Sequence, residues 1–388
     1  MTICILGRQP KLGLAELQAV FGTPAVQPVG DAAAQVDDDD FDLSRFGGTI
    51  KAAQRIDLTP GNDLSSLLRR ARSIVAQLAT DMPSGKVKLG LSFYGFDLSA
   101  SKINAAALDL KKTIKKTGRS VRVIPNNEPV LSSAQVLHNQ LTSPMGIELI
   151  FIRDGNQTII ARTLAEQNID DYTLRDRGRP KRDARVGMLP PKLAQIMLNL
   201  ALGDRDPASV TVLDPFCGTG VILQEAALIG ATVYGSDLAQ RMIDYTEANL
   251  QWLRRTYDLS FDSQLETADA RAHHWPATFG AVVGETYLGQ PLLAAPSPTK
   301  LQQIVDECNE LHRDFLINLA GQTSAGLRLC LGVPAWRVGQ GFRHLPVLDD
   351  LENLGYNRID FVNVSSSELI YHRTDQFVSR ELVVVTRK

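Results

Sequence analysis

Val210-Thr211-Val212-Leu213-Asp214-Pro215-Phe216-Cys217-Gly218-Thr219-Gly220-Val221-Ile222-Leu223-Gln224-Glu225-Ala226 reads as an apolar strand, a glycine-rich turn and a helix, in the order a nucleotide-binding fold requires. Gly218 and Gly220 let the backbone approach a ligand with no Cβ in the way. The helix that follows turns its free N–H groups toward the same place. A second apolar strand, Ala231–Gly235, leads to Asp237, seventeen residues after Gly220, where a carboxylate can accept hydrogen bonds from both hydroxyls of a ribose. Asp269 follows the next apolar segment and is placed to take an adenine amino group. Acids at the ends of successive strands suit an adenosine-containing ligand without phosphate, so S-adenosylmethionine (SAM) fits better than a dinucleotide. Two plainer readings stand beside this one: a glycine turn that only packs helix on strand, and an Asp214 that caps the helix.

Outward from this turn, strands and helices alternate from a proline-started helix at Pro191–Ala201 to the C-terminus, the pattern of a doubly wound, mostly parallel sheet. Two β-rich runs, Glu368–His372 and Glu381–Thr386, predict an antiparallel terminal hairpin. Upstream the grammar differs. A strand at 2–6 precedes a helix with Leu14, Leu17 and Phe21 on one face. Leu64, Leu67, Leu68, Ala71, Val75 and Leu78 set a second helix, and Val87, Leu89, Leu91 and Phe93 alternate as a half-buried strand. Ile103, Ala107, Leu110 and Ile114 mark another helix ending at Gly118. A strand at 120–124, a helix near 133–141, and a hairpin of Ile147–Ile152 and Thr158–Thr163 turning at Asp154-Gly155 complete an α+β unit to about residue 165.

The chain has 388 residues, more than one hydrophobic core sustains, so more than one domain is expected. Its 41 basic and 43 acidic residues leave a charge of −2, and only local patches can argue for nucleic acid. Cys4, Cys217, Cys308 and Cys330 show no metal or disulfide spacing, which points to a reducing compartment. With no export signal or long apolar span, a cytoplasmic protein is expected. The run Asp37–Asp40 reads as a solvated loop. His273 and His274 project to different sides of an extended chain and read as surface or loop residues, not a metal pair. Cys217 has no base beside it in sequence to make it a nucleophile, and Trp252 and Tyr257 read as core or helix-face residues.

The whole pattern resembles the THUMP-containing class I methyltransferases that modify the 2-amino group of guanosine 10 in transfer RNA. The resemblance is carried by Leu6-Gly7-Arg8-Gln9-Pro10 with Ala15-Glu16-Leu17, by Arg175-Asp176, Arg179-Pro180 and Arg182-Asp183, by Gly187-Met188-Leu189-Pro190-Pro191-Lys192-Leu193-Ala194, by Asp214–Gly220, and by Tyr371-His372-Arg373 with Gln376-Phe377-Val378-Ser379-Arg380. It implies four segments: a ferredoxin-like region at 1–58, a THUMP RNA-binding domain at 59–166, a basic linker at 167–187 and a Rossmann-like methyltransferase domain at 188–388. It further implies that Lys192 and Leu193 help close the SAM pocket alongside Asp214, Phe216, Gly218, Gly220, Asp237 and Asp269. Transfer RNA is the implied partner. A monomer without membrane contact is expected, with a small activating subunit known among eukaryotic members.

Local charge agrees with an RNA partner. Seven basic residues against one acid lie between Lys102 and Arg122, including Lys111, Lys112, Lys115, Lys116 and Arg119. Six against two lie between Arg175 and Arg185, including Arg177, Arg179, Lys181 and Arg182. Such clusters neutralise phosphates, although a solvated helix face explains Lys111–Lys116 almost as well.

The catalytic pattern of the family, Asp-Pro-Pro-Tyr, is replaced by Glu285-Thr286-Tyr287-Leu288. A base amine is a poor nucleophile because its lone pair is delocalised into the ring. A carboxylate and a backbone carbonyl that accept its two hydrogens, with an aromatic ring stacking the base, favour attack. Glu285, the Thr286 carbonyl and Tyr287 are the candidates here, without the prolines that would stiffen the turn. Three readings stay open: methylation of guanine N2 by this variant site, methylation of another RNA position or atom, and a transfer RNA binding protein without catalysis.

Overall fold

The computed structural model describes residues 1–183, 188–276, 278–290, 295–373 and 376–388. Ala184, Arg185 and Gly187, part of the basic linker and of the Gly187–Ala194 stretch, lie outside these. The chain divides into two compact units. One holds residues 1–10, 24–44 and 49–169. The other holds 11–23, 45–48 and 170–388.

The first unit is built on one eight-stranded sheet. Its strands are β1 (Thr2–Leu6), β2 (Val26–Val29), β3 (Ala33–Val36), β4 (Thr49–Pro60), β5 (Val87–Tyr94), β6 (Val121–Val123), β7 (Gly146–Asp154) and β8 (Gln157–Glu166), in the order β2-β3-β1-β4-β8-β7-β5-β6. The expected hairpin is present, with Asp154 opposite Gln157. β4 crosses the expected 58/59 boundary and pairs with β8 from Lys51 to Pro60. Helices Leu64–Asp81 and Ala100–Lys116 bury Leu67, Ala71, Val75, Ile103, Ala107, Leu110 and Ile114 against Val87, Leu89, Leu91 and Phe93. Their N-caps are Asp63 and Ser99, whose side chains accept the Ser66 and Lys102 N–H groups. β5 differs from the half-buried strand its alternation predicts, because both faces are covered. Leu131 and Leu141 press on Gly90, where a Cβ would come within 2.5 Å of the Leu131 side chain.

The second unit carries β9 (Thr211–Asp214), β10 (Thr232–Asp237), β11 (Ser263–Thr267), β12 (Ala281–Glu285), β13 (Arg328–Val338), β14 (Gly341–Arg343), β15 (Tyr356–Arg358), β16 (Ile370–Tyr371) and β17 (Val378–Arg387). The central order is β11-β10-β9-β12-β13-β17-β15. The first five are parallel, and β17 runs antiparallel between β13 and β15. The terminal strands do form an antiparallel pair, but β17 is inserted in the sheet and β16 pairs only with its start. Strict strand–helix alternation already breaks between β11 and β12, which follow each other with no helix between them among the described residues, and it stops after β13, where short strands and 3-10 turns take over.

Helix Pro298–Ala320 covers one face, packing Ile304, Val305, Cys308 and Phe315 with Leu213, Val282 and Leu331. On the other face Met197 of helix Pro191–Leu202 lies against Gly332. Helix Pro10–Phe21 contributes Glu16, whose carboxylate accepts the Gly47 and Gly48 N–H groups at 2.9 and 2.8 Å and Asn199 Nδ2 at 2.8 Å. This buried acid thereby ties 11–23 and 45–48 into the second unit. Among the described residues no helix is long and apolar enough to cross a membrane.

Candidate active site

Strand order reverses between β9 and β12, and in open α/β sheets ligands bind outside the carboxyl ends of the strands at such a point. A cleft of about 940 Å³ opens there. Asp214, Phe216, Gly218, Asp237, Asp269, Glu285, Thr286 and Tyr287 all line it.

The glycine turn is held from behind. Gly218 and Gly220 have φ of +51° and +79°, the left-handed region that costs a side chain energy. A Cβ on Gly220 would lie 2.8 Å from Thr246 Cγ2. Thr246 Oγ1 donates to the Gly218 carbonyl at 2.9 Å, and Asn249 Nδ2 donates to Thr219 O at 2.8 Å and to Lys181 O at 2.9 Å. Thr246 and Asn249, both buried on helix Gln240–Tyr257, escaped the sequence reading. Their one visible signal is a pair of polar residues three apart on the helix's apolar face. Asp214 is buried, and Oδ1 accepts the Phe216 N–H at 3.1 Å. Gly220 is the N-cap of the helix, so Asp214 orders the turn and does not cap. Burial, reinforced by the nearby Asp237 and Glu285 charges, pushes the Asp214 carboxyl well above its usual range.

Asp237 ends β10. Its Oδ2 accepts the Gly218 N–H at 3.0 Å and its Oδ1 the Ala239 N–H at 2.9 Å, which fixes the carboxylate while leaving each oxygen a further lone pair. Leu238 beside it is 71% exposed, an apolar surface at the cleft's edge. Asp269 pairs with Arg271 at 2.7 Å, and that hydrogen bond lowers its pKa. Lys192 and Leu193 do not line the cleft. Lys192 Nζ lies 4.8 Å from the Tyr172 ring centroid and Leu193 is buried, while Met188 and Leu189 supply that wall. A regular helix starting at Pro191 turns the expected pair away from the cleft.

At the opposite side β12 ends at Glu285, opposite Gly332 of β13. Arg380 of β17 donates from Nε to the Glu285 carboxylate, and both side chains are largely buried. Burial raises the Glu285 pKa, and Arg380 opposes that rise. Thr286 is 3% exposed and Tyr287 41%.

The basic candidates separate sharply. Lys112, Lys115 and Lys116 are exposed on helix Ala100–Lys116, and Lys111 is half-buried. Arg119 donates from Nη1 to Met82 O at 3.0 Å and from Nη2 to Pro83 O, closing the end of helix Leu64–Asp81. Arg177, Lys181 and Arg182 are exposed. Arg175 and Arg179 are buried, a correction to the expected RNA-contact set. Arg175 pairs with buried Glu225, lies 3.1 Å from Asp171, and stacks 4.3 Å from the Tyr172 ring centroid. Part of the expected linker is thus a helical segment, 169–178, whose guanidinium faces inward. Trp275 is buried too, its Nε1 donating to Ser236 Oγ at 3.2 Å, whereas His274 is exposed and His273 faces Glu266 at 2.9 Å.

Sheet order, glycine turn and carboxyl-edge cleft define the class I methyltransferase fold. Residues 179–286 match the UPF0020 family, described as an RMKL-like methyltransferase domain. The chain is similar to two archaeal proteins named tRNA (guanine(10)-N2)-dimethyltransferase. That of Methanothermobacter thermautotrophicus is 33% identical over 151 residues, 38% of this chain and 39% of the relative. That of Methanocaldococcus jannaschii is 39% identical over 111 residues, 29% and 30% of the two chains. The matches therefore span about two-fifths or less of these relatives' length. Among solved structures, TrmN from Thermus thermophilus aligns over 100% of this chain and 99% of its own, with TM-score 0.53 and 15% identity, a likeness of fold.

Proposed function

We propose that the protein is a SAM-dependent RNA methyltransferase acting on the exocyclic N2 amine of a guanosine in transfer RNA, position 10 by family resemblance. The observation that carries this reading is that one cleft joins the glycine turn and Asp237 to Glu285 and Tyr287. The donor set suits SAM. Asp237 keeps lone pairs for two ribose hydroxyls, Gly218 leaves the turn open to close approach, and Leu238 and Met242 offer apolar walls. When bound, SAM supplies a sulfonium-activated methyl group.

The chain's own work is to receive and orient the acceptor. Glu285 and the Thr286 carbonyl accept the amine hydrogens, and the Tyr287 ring stacks a base taken out of its helix. Arg380 favours the charged form of the Glu285 carboxylate against the effect of its burial. Residues 1–58 and 59–166 serve as ferredoxin-like and THUMP regions that grip transfer RNA, with Lys112, Lys115, Lys116, Arg177, Lys181 and Arg182 as phosphate contacts. The setting is cytoplasmic, and the catalytic chain acts as a monomer, with or without a small activating subunit.

A second reading, methyl transfer to another RNA atom, is favoured by the Arg380–Glu285 pair, which places a cation beside the group meant to receive the amine. Incubation with SAM and total transfer RNA followed by nucleoside analysis decides between them. N2-methylguanosine supports the first reading, a different methylated nucleoside supports the second, and no incorporation overturns both.

A further inference from the structure

Thr286 lines the cleft between Glu285 and Tyr287, yet it is buried, and its hydroxyl has partners within the fold. Its N–H donates to Gly332 O at 3.0 Å, a bond that a proline at this position could not make. Its Oγ1 is 2.6 Å from His312 Nε2. The ring's other nitrogen, Nδ1, lies 2.6 Å from the Cys308 carbonyl. A carbonyl only accepts, so the proton sits on Nδ1, Nε2 is the acceptor, and the Thr286 hydroxyl, which also lies 3.1 Å from the Gly332 carbonyl, directs its single proton to the nearer Nε2. His312 is 1% exposed, and burial pushes its pKa down to about 4, which keeps this arrangement neutral.

The other end of the same turn rests on the same helix. Gly289 has φ of +90°, and a Cβ there would lie 3.1 Å from Ile304 Cγ2 and 3.6 Å from Cys308 Sγ. Ile304, Cys308 and His312 follow at intervals of four on one stripe of helix Pro298–Ala320. The segment 286–289 is therefore anchored at both ends, and Tyr287, between the anchors, faces the cleft.

We infer that His312 is a positioning residue: through Thr286 it fixes the turn that presents Glu285 and Tyr287 to the acceptor, the task a stiff proline turn would otherwise perform. This role rests on the methyltransferase reading proposed above. His312 touches neither acceptor nor donor and acts only through the turn.

The test uses the full chain, SAM and transfer RNA, with Thr286→Val, Thr286→Ser, His312→Leu, His312→Gln and the double variant Thr286→Val/His312→Leu. Valine keeps the shape of threonine and removes the hydroxyl. Glutamine keeps an acceptor near the place of Nε2, and leucine removes it. Thr286→Val and His312→Leu should each lower kcat roughly 10- to 100-fold, with the SAM Kd by calorimetry unchanged. The Ser and Gln variants should recover most of that loss. The double variant should be no slower than the slower single variant, since both substitutions remove the same interaction. If His312→Leu fails to fold, the Thr286 pair still decides. Thr286→Val at wild-type kcat, or additive losses in the double variant, overturns the positioning role alone. A wild-type protein that methylates no transfer RNA overturns the enzymatic reading and this role with it.

Discussion

Arg380 on β17 donates its Nε–H to the carboxylate of Glu285 at the end of β12. The two residues are 95 positions apart in sequence, and the pair puts one charge of each sign on the side of the cleft opposite the glycine turn. Replacing Arg380 with Met leaves the acid buried and unpaired, and its pKa rises further. Methyl transfer that needs the carboxylate ionised should then start at higher pH. The acid limb of the kcat profile should move upward and kcat near neutrality should fall on the order of 100-fold. Calorimetry with SAM should show no comparable change.

Asp237 and Asp269 should differ in weight. Asp237→Ala removes the carboxylate that orients the Gly218 and Ala239 N–H groups as well as any contact with a ribose, and should weaken SAM binding by about 100-fold. Asp269 is already engaged by exposed Arg271, so Asp269→Ala should cost at most about tenfold. Titration calorimetry of the two variants gives the comparison, and equal losses would remove the distinction.

Gly220→Ala should destabilise through two independent causes. The left-handed φ costs about 1–2 kcal/mol, and the new methyl meets Thr246 Cγ2 at 2.8 Å. Thermal unfolding should fall by several degrees. Thr246→Ser, which removes that methyl and keeps the hydroxyl, should restore part of the loss when combined with it.

Arg175 and the lysines of helix Ala100–Lys116 should fail in different assays. Arg175→Ala strands buried Glu225, which should cost about 3–5 kcal/mol of stability. Lys112→Ala/Lys115→Ala/Lys116→Ala should leave stability nearly unchanged. It should weaken transfer RNA binding and reduce the slope of log K against log salt by about 0.7–0.9 for each phosphate no longer neutralised. Melting curves and filter binding at several salt concentrations separate the two.

His312 predicts the pH dependence of folding. Its pKa falls from 6.5 to about 4 on burial, so between these values the unfolded chain binds the extra proton. The stability gained from a neutral His312 is fully present above about 6.5 and is lost as pH falls toward 4, an effect on the order of a few kcal/mol. Denaturant titrations of the wild type and His312→Gln at pH 7 and pH 4.5 should show a smaller drop for the variant.

The second unit was largely readable because its signals are local. The strand–turn–helix at 210–226 and the acids ending β9, β10 and β12 are set by residues within a few positions of one another. What the sequence concealed is partnership at long range. Arg175 looked like one more linker cation because Glu225 lies 50 positions away and its burial has no local mark. The alternation of β5 hid its second covered face because Leu131 and Leu141 come from a later segment, on either side of the short helix Ser133–His138. Thr286 looked like the loss of a stiffening residue until His312, on a separate helix, was placed against it. Lys192 and Leu193 were misplaced because their association with the pocket came from resemblance, while the direction of each side chain depends on where the helix begins.

Asp237 clasps Gly218 and Ala239 at once, one carboxylate oxygen to each. The two bends that rim the cleft are therefore held relative to each other by the chain's own carboxylate. Such a rim behaves as a rigid gauge, selecting by shape and hydroxyl placement. Divergence toward new acceptors is then left to the opposite lip at 285–290, where side chains can be exchanged without redrawing the gauge.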